Sequence, residues 1–360
     1  IKSAIYHTTM FDDLGFIYLG PVDGHDQSEL ERVLYTAKKY KHPVFVHVNT
    51  VKGKGYMPAE KNPGEYHGIS KFDIKTGNPE VSADESYSTE FGKELVRLAR
   101  EDDRICAVTA AMKYATGLHY FASEFRERFF DVGIAEQHAV TFSAGLASMG
   151  YIPVFAVYSS FLQRAYDQII HDAAICNMHI VIGVDRAGVV GEDGVTHQGI
   201  FDVPMLTTIP NTVIYSPSCY EELRVCLEEA VKAENGIKVV RYPKGKDHTG
   251  FDKSRICTGY VLERDNINRR HDVLMITYGR LFDNMCKARD MLKADGINAD
   301  MLKLVKIFPL ENEVTELVLK YKHIFFFEES YSSGSISEHL SSALIRNGFK
   351  GGYSAVAICD

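Results

Sequence analysis

Glu136 stands in the run Asp131-Val-Gly-Ile-Ala-Glu-Gln-His138, between an apolar strand-like stretch and a helical stripe. A carboxylate in that place either complements the dipole of the helix that follows or works in a site by accepting a proton or hydrogen bond. Two further ionisable clusters end later apolar runs: Tyr158-Ser-Ser-Phe161-Leu-Gln-Arg164, and Asp185-Arg186-Ala-Gly188 continuing to Asp193-Gly194-Val-Thr-His197-Gln198. An open α/β sheet gathers its ligand site at the carboxyl ends of its strands, so charged strand ends in succession imply one enzyme site. His197 can move a proton near neutral pH with Asp193 to orient it; a satisfied structural histidine is the other reading. Arg164, Arg186 and Arg241 carry the planar fork that suits phosphate, and each alone reads more often as a surface ion-pair partner. Lys52, in Lys-Gly-Lys-Gly, is either solvated or phosphate-facing, and the run lacks the Ser or Thr of a P-loop. Gly188, Gly191 and Gly194 do not make a dinucleotide fingerprint and predict instead a flexible loop presenting Asp193 and His197.

The elements that must position these residues follow from periodicity. Ser28-Glu-Leu-Glu31 reads as a capping box opening a helix, with Pro43 to Val48 as a buried strand after it. Residues 51 to 82 show no sustained period, which in a compact protein marks a functional stretch or a linker. From about Glu85, helix and strand alternate: strands at Ile105–Thr109, Phe129–Ile134, Ile152–Val157 and His179–Val184, a striped helix after Glu136, and a helix opened by a second capping box at Ser160-Phe-Leu-Gln163. The pattern predicts a doubly wound, mostly parallel sheet. The polar run 264–272 is a boundary, and a further α/β unit follows it.

With 360 residues and 45% hydrophobic content the chain can form two or three domains. Lys and Arg total 40 against 48 acidic residues, a net charge of −8, and no basic block follows a phosphate backbone, which argues against nucleic acid as a partner. Seven cysteines without a Cys-x-x-Cys pair read as thiols of a reducing compartment, hence a cytoplasmic protein. No apolar run reaches the ~18 residues of a membrane span.

The order of these motifs is similar to the pyrimidine-binding domain of thiamine diphosphate enzymes, and within that group it resembles the 1-deoxy-D-xylulose-5-phosphate synthase family. The resemblance covers nearly the whole chain. It includes Gly20-Pro-Val-Asp-Gly-His-Asp26, Thr50-Val-Lys-Gly-Lys-Gly-Tyr56, Tyr66-His67-Gly68, Thr109-Ala-Ala-Met112, Arg241-Tyr-Pro-Lys-Gly245 and Lys303-Leu-Val-Lys-Ile-Phe-Pro309. It implies three transketolase-like α/β units: residues 1–82 as the end of the diphosphate-binding domain with a long loop, 83–245 as the pyrimidine-binding domain, and 246–360 as the C-terminal domain. The implied reaction is condensation of pyruvate with D-glyceraldehyde 3-phosphate to 1-deoxy-D-xylulose 5-phosphate and CO2, supplying isoprenoid, thiamine and pyridoxal precursors, in a homodimer.

The resemblance also implies roles. Glu136 would bond the ring nitrogen of the aminopyrimidine and favour its imino tautomer. Phe161 would lie on the aminopyrimidine face, with Ile134, Met112 and Lys52 as further cofactor contacts. Tyr158, Arg164, Arg186 and Arg241 would hold the substrates, and His67, Asp193 and His197 would surround the reacting carbons. The family anchors the diphosphate through Mg²⁺ with a Gly-Asp-Gly segment and a downstream Asn. Val22-Asp23-Gly24 with Asn49 is a decoy, lacking the first glycine and lying in stretches that match other parts of the family. The expectation is therefore a chain cut at both ends, whose Mg²⁺ ligands lie in an absent amino-terminal segment and which binds cofactor poorly alone. Other thiamine-dependent carboligases, of transketolase or 2-oxoacid dehydrogenase beta type, and a non-catalytic half needing a partner chain are the alternatives.

Overall fold

A computed structural model describes residues 9–64, 66, 71–77, 85–191, 193–247, 255–264 and 271–359. The chain divides into two compact units, Ile1–Ser82 and Ala83–Asp360. In the first, β1 (Ile17–Asp23) and β2 (Val44–Asn49) pair in parallel, joined by the helix Gln27–Ala37. Asp26 caps that helix by accepting from Glu29 N at 3.0 Å, which places Ser28 inside the first turn and corrects the capping box read there. The aperiodic stretch after β2 owes its order to aromatic rings: Tyr66 meets Tyr56 and Phe72 edge-on, and its hydroxyl donates to Gly77 O at 2.7 Å.

The second unit holds two sheets. Its strands are β3 (Ile105–Thr109), β4 (Phe129–Asp131), β5 (Ile152–Tyr158), β6 (Ile180–Asp185), β7 (Thr212–Tyr215), β8 (Ile237–Arg241), β9 (Tyr260–Glu263), β10 (Val273–Tyr278), β11 (Asp300–Leu304), β12 (Lys306–Phe308), β13 (His323–Tyr331) and β14 (Gly352–Ile358). The seven-stranded sheet has the order β12-β7-β8-β6-β5-β3-β4 and is parallel except at β12. The five-stranded sheet, β14-β13-β10-β11-β9, is parallel except at β9. The doubly wound expectation therefore describes the fold. One element crosses the expected 245/246 boundary: β12 follows β11 by a single residue, yet it forms the edge of the seven-stranded sheet by pairing with Ile214 and Tyr215.

Core packing fixes the central strands. The helix Tyr87–Glu101 buries Phe91, Leu95 and Leu98 at helical spacing, each contributing about 1.5–3 kcal/mol as an upper bound. Gly183, in the middle of β6, makes room for one of these rings: a Cβ there would lie 2.5 Å from Phe91 Cζ. Above the carboxyl edge, the strand read over Phe129–Ile134 ends early, at Asp131. Asp131 Oδ1 accepts from Ala111 N at 2.8 Å and from Gly133 N at 3.1 Å, and Gly133 takes φ +75°, so the chain turns and leaves Ile134 81% exposed.

Candidate active site

From β3 the chain crosses to β4 on one side, whereas from β5 it crosses to β6 on the other, so β3 and β5 flank a point where the winding reverses. Such a point opens a crevice at the carboxyl ends of the strands. The register brings Asp131 beside Thr109, Tyr158 beside Asp185, and Val184 beside Arg241. Two residues other than glycine take left-handed backbone here, Ala111 at φ +60° after β3 and Arg186 at φ +59° after β6, conformations that persist only where surrounding contacts enforce them.

Glu136 opens the helix Glu136–Ser148, is 2% exposed, and accepts from Arg164 Nη1 at 2.6 Å through Oε1. Among the described residues its Oε2 accepts no hydrogen bond. Arg164 reaches it from a helical segment that changes pitch three times: an α turn at Ser159–Leu162, a 3₁₀ turn at Gln163–Ala165, an α turn at Tyr166–Gln168 and a π turn at Ile169–Ala174. Tyr158 caps this segment without a side-chain bond, because β5 runs straight into the helix. Ser160 then lies inside the first turn, its buried hydroxyl unpartnered, and the capping box read there does not form.

From Glu136 the contacts run on as one string. The Arg164 guanidinium lies 5.0 Å from the Phe161 ring centre, Phe161 stacks with Tyr158 at 5.5 Å, and Arg186 lies over Tyr158 at 3.8 Å. His197 meets Phe161 edge-on at 5.3 Å. Arg186 donates through Nε to Asp193 at 3.3 Å and through Nη1 to Asp185 at 3.1 Å, and Lys244 Nζ donates to the other Asp193 oxygen at 3.1 Å. Nη2 of Arg186 has no protein acceptor among the described residues. Burial pushes the Asp185 carboxyl up to about 6 against the pull of Arg186 and Ser88, and pushes Tyr158 up to about 12. Asp193 is partly desolvated too, yet Lys244 and Arg186 together hold it below the ordinary carboxylate range.

Residues 84–247 match the pyrimidine-binding domain of transketolase, residues 264–359 the transketolase C-terminal domain, and residues 1–50 the family of 1-deoxy-D-xylulose-5-phosphate synthase. The 1-deoxy-D-xylulose-5-phosphate synthase of Natranaerobius thermophilus is 43% identical over 342 residues, 94% of this chain and 54% of that protein. The chain belongs to the 1-deoxy-D-xylulose-5-phosphate synthase family. Other family members are similar at the same level: 43% over 356 residues in Clostridium acetobutylicum, covering 96% of this chain and 57% of that one, and 44% over 348 residues in Caldanaerobacter subterraneus, covering 96% and 55%. The chain thus spans about half the length of the curated relatives it matches. A solved split-gene transketolase, described as an inactive β4 tetramer, shares the fold with a TM-score of 0.67 at 24% identity, over 77% of this chain and 90% of that one.

Of the residues that resemblance to the family singled out, Glu136, Arg164, Phe161, Tyr158, Arg186, Asp193 and His197 come together in the string. Met112 is buried in the core against which Tyr158 and Phe161 pack. Arg241 is not part of the string. It is 4% exposed and bonded to the buried Asp202 at 2.8 and 3.3 Å and to Ser216 at 3.3 Å. Lys52 lies in the exposed turn after β2, within the Ile1–Ser82 unit. His67 lies outside the described residues.

Three participants were not picked out in the sequence: Asp185, Lys244 and Ser88, whose hydroxyl donates to Asp185 at 2.6 Å. Asp185 and Lys244 sat inside quoted motifs, but nothing in spacing pairs Lys244 with a residue 51 positions earlier. Among the described residues, no group of three or more His, Cys, Asp or Glu side chains could hold a metal ion, and no helix is long and apolar enough to cross a membrane.

The fit of this site to thiamine diphosphate rests on Glu136. A buried carboxylate with one oxygen held by a guanidinium and the other, among the described residues, without a protein donor suits an N–H of a heterocycle, and Phe161, 5.0 Å from the same guanidinium, is an aromatic ring close by.

Proposed function

We propose that this chain provides the pyrimidine-binding and substrate-holding part of a thiamine diphosphate-dependent transferase that condenses pyruvate with D-glyceraldehyde 3-phosphate, giving 1-deoxy-D-xylulose 5-phosphate and CO2. The observation that carries the reading is the half-satisfied, buried Glu136 at the head of a continuous string of aromatic and cationic side chains. The cofactor supplies a nucleophilic carbon and an electron sink for decarboxylation. With the cofactor bound, Glu136 would accept a hydrogen bond from the aminopyrimidine and favour the tautomer competent to move a proton. Phe161, backed by the buried Met112, provides an apolar face and Ile134 an exposed contact; Lys52 carries a charge that suits a diphosphate. Mg²⁺, which prefers oxygen ligands, would be the metal partner of that diphosphate, and the described residues offer no cluster of His, Cys, Asp or Glu to hold it.

Arg186, fixed from two sides by carboxylates, presents Nη2 to an acceptor phosphate, and Lys244 adds a second positive charge beside Asp193. His197 and Asp193 manage protons at the reacting carbons. Arg164, bonded to Glu136 at 2.6 Å, serves the carboxylate as well as the substrate. Arg241 would have to leave a buried ion pair to touch substrate, so its part is to hold β8 and Asp202 in place. The family's other attributes, a homodimer in the cytoplasm, belong to the same proposal.

Calorimetric titration of the chain with thiamine diphosphate and Mg²⁺, joined to an assay of pyruvate with D-glyceraldehyde 3-phosphate, tests the reading. Binding and product that vanish in Glu136→Ala support it; binding and product that survive in Glu136→Ala overturn the assigned role. A second reading, that the chain works with a separate polypeptide, is favoured by one observation: the neighbour it covers to 90% is a split-gene transketolase. Under that reading the folded chain alone gives no product, and product appears on adding the amino-terminal half of a family member.

A further inference from the structure

The loop that carries Asp193 and His197 leaves β6 through Gly188 and returns through Gly199, and its base is closed by two hydrogen bonds, Gly188 N to Gly199 O at 2.7 Å and Gly199 N to Gly188 O at 2.9 Å. The Gln198 amide stitches its interior, accepting from Val190 N and donating to Val190 O, both at 2.8 Å. What holds this base comes from the C-terminal sheet. Arg280, just past β10, grips Glu329 of β13 with both arms of its fork, Nε to Oε2 and Nη2 to Oε1, each at 2.7 Å. The same Nη2 donates to Val189 O at 2.6 Å. Glu329 also backs directly onto Gly188, where an added Cβ would stand 2.6 Å from Oε2.

The pair is a poor candidate for a stabilising element. Its side chains are 30% and 21% exposed, and ion pairs that face solvent contribute little to folding. The seam is not filled either: a cavity of about 10 Å³, the size of a single water, is lined by Ala187, Arg241, Tyr278, Arg280 and Glu329 among others. With packing incomplete, the three-way junction of Arg280, Glu329 and Val189 sets where the loop sits. Further along, Tyr331 N donates to Ile200 O at 2.9 Å, so β13 follows the loop's exit strand as well as its entry.

We propose that Arg280 and Glu329 are positioning residues for the active site: through Val189 and the Gly188–Gly199 bridge they hold the loop in the geometry that presents Asp193 and His197. The C-terminal sheet thereby has a task beyond folding. The functional half of this inference rests on the proposed reading of Asp193 and His197; the structural half does not.

Hydrogen exchange followed residue by residue on the full chain tests it. In Arg280→Ala, the amides of Gly188, Val190 and Gly199 should exchange about tenfold faster, the factor expected from roughly one net hydrogen bond. Amides of β6, β10 and β13 should keep their rates, and the thermal midpoint should stay within a few degrees. Arg280→Lys, which keeps the charge but cannot bridge Glu329 and Val189 together, should fall between the two. Unchanged loop exchange in Arg280→Ala, or an equal rise in β10 and β13, overturns the clamp. Where turnover is measured, Arg280→Ala should lower kcat and alter its pH profile. An accelerated loop with unaltered kcat, in an enzyme that Glu136→Ala silences, overturns the positioning role; an enzyme that Glu136→Ala leaves active overturns instead the proposed function.

Discussion

Each parallel sheet of the larger unit buries a glutamate at its carboxyl edge, and the two are finished in opposite ways. Glu328, on β13, is 4% exposed and fully engaged: Tyr278 Oη donates to it at 2.8 Å, and the backbone N–H groups of Ile336 and Ser337, at the start of the helix Ile336–Arg346, donate at 3.2 and 2.9 Å. Glu136 is 2% exposed and, among the described residues, bonded only to a half-exposed arginine. Burial is the same, and satisfaction is not. A carboxylate that closes every neighbouring donor stabilises a fold, whereas one kept incomplete at a cost in desolvation has capacity left for a ligand. The arginines repeat the contrast. Arg241 and Asp202 are both buried and mutually committed, while Arg164 and Arg186 keep a face toward solvent or an unbonded nitrogen.

The sharpest way to break this comparison is to remove Glu136. In an active assembly Glu136→Ala should cut turnover by about 10²–10⁴, the range of groups that govern proton transfer, while urea unfolding changes little. A loss below about tenfold would mean that the empty oxygen has no catalytic meaning. Next in size is Asp202→Ala, which strands the Arg241 charge in the interior and should cost about 3–5 kcal/mol of unfolding free energy. If urea denaturation showed less than about 1 kcal/mol, Arg241 would be relaxing to solvent, and would be free to serve as the substrate contact that the family resemblance implies. Glu328→Gln should lose about 1–3 kcal/mol, because one amide oxygen replaces a charged acceptor for three donors, with turnover per folded molecule unchanged.

Much of this contrast was readable in the sequence, and the part that was not has a physical reason. Strand and helix alternation gave the doubly wound sheet, since central strands such as β6 are buried on both faces and read as continuous apolar runs. The short edge strands β9 and β12 have too little period to notice, and β12 joins a sheet on the other side of a boundary that composition placed before it. The capping boxes at Ser28 and Ser160 failed because a cap is decided by where the chain enters the helix, which Asp26 and Tyr158 control. Among site residues, Tyr158, Phe161, Arg164, Arg186, Asp193 and His197 were legible as motif members. Which arginine keeps an unbonded nitrogen and which is sealed by Asp202 depends on contacts such as one 39 residues apart, and no local pattern reports those.

The subtlest difference between the two edges lies in Asp185, whose carboxyl is raised from 3.8 to about 6 chiefly by burial. A carboxyl raised on folding binds its proton more tightly in the native state than in the unfolded one. Its ionisation therefore opposes stability as pH rises through the window from about 4 to 6, the reverse of a salt-bridged carboxylate with a depressed value. Ionised at neutral pH, it anchors Arg186 Nη1 by charge; protonated below about 6, it keeps only a neutral acceptor for that arm, while Asp193 and the Tyr158 ring hold the guanidinium as before. Asp185→Asn should remove this step. Stability measured by urea midpoint between about pH 4 and 6 should lose its downward component relative to the native chain. A wild-type profile that is already flat across that window would mean that Ser88 and Arg186 offset burial. Asp185 would then belong with Glu328, as a carboxylate whose charge the fold has fully answered.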